Sequence, residues 1–113
     1  MSTFELSQLL KEHKQAGRLY LEFLRVPSLS LGLYVLAAGA TDPQKPHTED
    51  EDYFISRGKG MINVDGEDTA VQAGSVLFVP AGAAHRFHSI TEELQILVFF
   101  APAEGATGQP ASR

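Results

Sequence analysis

The stretch Gly74-Ser75-Val76-Leu77-Phe78-Val79-Pro80-Ala81-Gly82-Ala83-Ala84-His85 constrains the fold more than any other part of the chain. It reads G-x5-P-x-G-x2-H, and each fixed position has a physical reason. Gly74 supplies an open backbone conformation through which a turn can enter a strand. Ser75 to Val79 is a short run rich in β-branched and aromatic residues, suited to a buried strand. Pro80 stops that strand and forms a tight turn with Gly82. His85 then opens a new strand, aimed by a rigid turn, which is how a metal-ligating imidazole is placed.

At 113 residues the chain is long enough for one hydrophobic core and too short for two. The absence of cysteine removes disulfides, thiolate metal sites and cysteine nucleophiles together, so any metal must be held by nitrogen and oxygen. A net charge of −5 leaves no basic stripe to neutralise phosphates, which argues against a nucleic-acid partner. No apolar run approaches the roughly 20 residues of a membrane-spanning helix. The N-terminus lacks the features of a secretory signal, so a cytoplasmic location and no membrane partner are the expectation.

Ser2 or Thr3 is expected to cap a helix that carries Phe4, Leu6, Leu9 and Leu10 on its apolar face, runs to about Gln15 and ends at Gly17. From Arg18 the period changes to two. Leu19, Leu21 and Phe23 mark one strand; Leu29, Leu31, Leu33 and Val35 mark a second, each with one apolar face. Short strands are expected near 52–57, 61–64, 68–72, 75–79, 85–89 and 94–100, with Asp65-Gly66 as a hairpin turn. Many short strands punctuated by Gly, Pro and Asp indicate an all-β sandwich or barrel. The division expected is a helical segment over 1–17, a barrel over 18–101 and a flexible tail over 102–113, whose Gly, Ala, Pro and polar residues suit disorder.

The Gly74-to-His85 pattern resembles the second conserved motif of the cupin superfamily, with Ser89 where that motif closes on Asn. Gly39, His47, Glu51 and Gly58 resemble the first motif, with Lys45 where its first histidine stands. The resemblance spans about Gly39 to Phe100 and implies a double-stranded β-helix, the jelly-roll barrel of small single-domain members. It also implies a metal held by His47, Glu51 and His85, a two-histidine, one-carboxylate set that leaves positions open for substrate, water or dioxygen. Glu49 and Gln44 are candidates for a fourth ligand, although Glu49 reads more simply as a solvated carboxylate. Strand alternation is compatible with convergence. If Glu51 points inward, Tyr53 and Ile55 do too; if His85 points inward, Phe87 follows and His88 faces out. Tyr53, Phe78, Phe87, Tyr34 and Arg25 are candidates for the substrate pocket.

Imidazole and carboxylate ligands suit a divalent Fe, Mn, Ni or Zn ion without choosing among them. Within the superfamily Fe or Mn fits the dioxygenases and Zn the isomerases. Three functions follow as expectations: a metal-dependent, dioxygenase-like enzyme acting on a small organic molecule; an isomerase or epimerase of a sugar or small acid; and a non-catalytic binding module, which Lys45 at a ligand position motivates. By family analogy a homodimer is expected, built on Leu29, Leu31 and Leu33 or on the helix.

Overall fold

The computed structural model describes residues 1–106. Helix α1 (Leu6–Ala16) is followed by β1 (Tyr20–Val26), β2 (Leu29–Leu36), β3 (Asp50–Val64), β4 (Glu67–Gln72), β5 (Val76–Val79) and β6 (His85–Ala101). All pairings are antiparallel, in the order β1-β2-β6-β3-β4, with β5 added alongside β3. Residues from the first half of β3 (Tyr53, Ile55) and its second half (Ile62) share one core with both ends of β6 (Phe87, Leu94, Ile96, Val98, Phe100). Two long strands can do this only by bending around that core, so the sheet is rolled into a barrel.

Bending also explains why eight expected strands appear as six. The segments near 52–57 and 61–64 are one strand, as are 85–89 and 94–100. The β3–β6 ladder survives the bend through register shifts between Ile55 and Met61. The Asp65-Gly66 hairpin holds as expected: both residues have positive φ (49° and 88°), the signature of a two-residue type I′ turn.

One expectation is corrected. The helix begins later than Ser2 or Thr3 would place it: Glu5 is the cap residue, without a side-chain capping bond, and its carbonyl receives the Gln8 and Leu9 N–H groups. Gly17 does terminate it, with φ 67°. On β2, whose inward face alternation alone leaves open, the residues turned to the core are Ser30, Gly32, Tyr34 and Leu36. Gly32 leaves room there for the Tyr20 ring, since a Cβ would lie 2.1 Å from it. On the other face, α1 packs against β1 and β2. Leu33, at 0% exposure in the single chain, offers no surface to a partner. The first residues of the expected tail are packed against the barrel. Ala103 and Glu104 are buried, and the Ala103 N–H donates to the Pro27 carbonyl at 3.3 Å. The rest of the expected tail, 107–113, lies outside the described residues.

Candidate metal centre

The two motif segments are tied to each other before any side chain of the site is considered. The Gly82 N–H donates to the His47 carbonyl at 2.7 Å, and the Ala81 N–H donates to Asp50 Oδ1 at 2.9 Å. At the far end of the second motif, Asp65 clamps Ala84: it donates its own N–H to the Ala84 carbonyl (2.8 Å) and accepts the Ala84 N–H on Oδ1 (3.1 Å). His85 is therefore held from both sides of its turn. Across the sheet, Glu51 pairs with Val79 on one side and Phe100 on the other, which sets its carboxylate toward the interior.

His47, Glu51 and His85 are all buried, and each offers a ligand atom within 4.8 Å of the others'. Ligands around an ion with bonds of about 2.0–2.2 Å sit roughly 3–4 Å apart, so the three fit one metal after a small contraction. Glu51 Oε1 is 3.1 Å from His85 Nε2, and Gln44 Oε1 is 3.0 Å from the same nitrogen. Nδ1 of His85 donates to the Ala83 carbonyl at 2.9 Å, so in the neutral ring Nε2 carries the lone pair. In that tautomer three electron-pair donors face one another, an arrangement that either a metal ion among them or a proton on Nε2 would satisfy.

The Gln44 amide has one orientation that satisfies its neighbours. Its Oε1 accepts the Tyr53 hydroxyl at 3.0 Å, and its Nε2 donates to Asp42 Oδ2. Asp42, which sequence reasoning missed, is the hub behind it. The buried carboxylate accepts the Tyr34 hydroxyl, the Gln44 N–H (3.2 Å) and the Phe87 N–H (2.9 Å) in addition to the Gln44 amide. Four donors compensate the cost of burying that charge. Nothing local in the sequence marks it, because it lies in the irregular segment between β2 and β3.

Of the expected pocket residues, Tyr34, Tyr53 and Phe87 are buried in the core, with Tyr53 and Phe87 rings edge-to-face at 5.0 Å. Phe78 is not in the interior: Val79 faces Glu51, so alternation turns Phe78 outward, where it is 62% exposed. Arg25 is also outside, in a surface ion pair with Glu22 at 2.9 Å. Glu49 is buried yet lies outside the three-residue cluster. Lys45 is exposed. His88 faces out as alternation requires, its Nε2 2.8 Å from Asp68. Hydrogen bonds from Asn63 and then His88 hold the Asp68 carboxyl below its ordinary range.

The family model for the cupin domain (Cupin_2) matches residues 32–100. The chain belongs to the cupin family. An uncharacterised protein of Streptomyces coelicolor is 50% identical over 104 residues, 92% of this chain and 99% of that one. A gentisate 1,2-dioxygenase from Streptomyces is 29% identical over 68 residues, 59% of this chain but only 19% of the enzyme. Among solved structures, the cupin domain of Cnp3 from Schizosaccharomyces pombe superposes with a TM-score of 0.68 at 22% identity, covering 74% of this chain and 63% of that domain. That last likeness supports the jelly-roll barrel alone. No described helix of this cupin is long and apolar enough to cross a membrane.

Proposed function

We propose that this cupin is a metal-dependent, dioxygenase-like enzyme acting on a small organic molecule, with His47, Glu51 and His85 as metal ligands and the Gln44 carbonyl oxygen as a fourth donor. The observation that carries the reading is the set of lone pairs facing His85 Nε2, with Nδ1 already committed to Ala83. The ligand set is nitrogen and oxygen only, which fits divalent Fe, Mn, Ni or Zn. When bound, such an ion supplies a Lewis acid with positions open to substrate oxygens and dioxygen. The protein's own groups do the rest. Ala83 and the β3 ladder fix the ligands, while Tyr53 and Asp42 fix the Gln44 amide. Tyr34, Tyr53 and Phe87 line an apolar surround that excludes bulk water.

The local likeness to gentisate 1,2-dioxygenase favours oxygen chemistry among the reactions open to cupins, and dihydroxylated aromatic acids are the first substrates to try. Iron(II)-loaded protein in an oxygen electrode is expected to consume oxygen with such acids, and Glu51→Gln is expected to abolish the uptake. Bound iron with no uptake on any of them would remove the dioxygenase reading. The isomerase and binding-module readings would then stand.

A further inference from the structure

The two imidazoles of the centre are oriented by different means. His85 gives its Nδ1 proton to a backbone carbonyl. His47 has its Nδ1 3.5 Å from the Glu104 carboxylate, and both side chains are buried. We propose that Glu104, reached over the barrel by the segment after β6, is a positioning residue for this site: it fixes His47 as the Nδ1–H tautomer and aims the opposite nitrogen, Nε2, at the metal. This rests on the metal-centre reading above.

Glu104 is placed by the fold rather than by chance. Its N–H donates to the Ser30 hydroxyl at 2.9 Å, from the inward face of β2. Ala103 beside it is buried and bonded to Pro27, and the Ala106 N–H closes a turn on the Ala103 carbonyl at 2.9 Å. The His47 ring is held edge-on against Phe100, with centroids 4.9 Å apart, so the imidazole is restrained while the carboxylate acts on it. A carboxylate that is 6% exposed is expensive to bury without a positive or proton-donating group nearby, and the His47 imidazole at 3.5 Å is such a group. A carboxylate on the outer nitrogen of a ligating histidine fixes its tautomer and makes the inner nitrogen a stronger donor, and removing such a partner typically weakens metal affinity about 10–100-fold.

The test begins with metal-free wild-type protein labelled with 15N at histidine, where long-range 1H–15N correlation reports which nitrogen of His47 carries the proton. Nδ1–H is expected. Zn2+ affinity is then measured by competition with a chromophoric chelator. Glu104→Leu is expected to weaken binding about 10–100-fold and to shift His47 toward Nε2–H. Glu104→Gln, which keeps an acceptor but not the charge, is expected to retain the tautomer and lose less. A purely structural role would lower Tm while leaving tautomer and affinity of the folded protein unchanged. Two results overturn the proposal: Nε2–H at His47 in the wild type, or wild-type tautomer and affinity in Glu104→Leu. Should the wild type bind no Zn2+, the metal-centre reading falls, and the tautomer of the metal-free protein still decides the role of Glu104.

Discussion

Gly58→Ala is expected to destabilise the protein by about 2–6 kcal/mol, a large share of the 5–15 kcal/mol typical of a domain. Gly58 sits in the bent middle of β3 with φ 105°, a conformation that side chains rarely adopt. A Cβ there would lie 2.1 Å from the Glu93 carbonyl oxygen, 2.7 Å from its carbon and 2.8 Å from Leu94 Cα. All three are backbone atoms of β6, so nothing can rotate out of the way, and relief requires pulling the two longest strands apart where they cross. Backbone strain accounts for roughly 1–3 kcal/mol, and the steric overlap for a similar amount. Thermal unfolding followed by circular dichroism should show Tm lowered by at least about 10 °C. Gly66→Ala is the control. Its φ is 88° but the space around it is open, so it carries the strain without the clash and should cost less. Equal losses at the two positions would show that strain, not the β3–β6 approach, explains Gly58.

Asp42→Ala is expected to be nearly as damaging, for a different reason. It removes the acceptor for four donors at once: the Tyr34 hydroxyl, the Gln44 N–H and side-chain amide, and the Phe87 N–H. Each buried polar group left unsatisfied costs about 1–3 kcal/mol, and partial relief by entering water brings the expected total to roughly 3–5 kcal/mol. Urea unfolding measures this directly. The same change frees the Gln44 amide to turn, so metal affinity should fall although no ligand has been altered. Asp42→Asn, which keeps one oxygen acceptor, should lie between. A loss below about 1 kcal/mol would mean that the network is dispensable.

The legible parts of this protein were those governed by short-range rules. Asp65-Gly66 announces a type I′ turn because only residues tolerant of positive φ sit comfortably there, and the two-residue alternation from Glu51 through Ile55 and from His85 to Phe87 survives intact. Phe78 was misassigned although the same alternation, anchored on Val79, sends it outward. What stayed hidden depends on the closed barrel. β2 carries a leucine on nearly every odd position, yet its inward face is the mixed one, because the Tyr20 ring and the hydroxyls of Ser30 and Tyr34 occupy the interior and α1 packs on the opposite side. Asp42 and Glu104 carry no local pattern at all. One is recognised by donors that strands β2 and β6 bring to it, the other by a histidine far away in sequence.

The central claim is that His47, Glu51 and His85 hold a divalent metal. Elemental mass spectrometry of untagged protein, beside His85→Ala, tests it most directly. The account predicts close to one Fe, Mn, Ni or Zn ion per chain in the wild type, about one because one cluster of ligands lies among the described residues, and its loss in the variant. Wild-type protein that holds no metal even after incubation with each of these ions would contradict it.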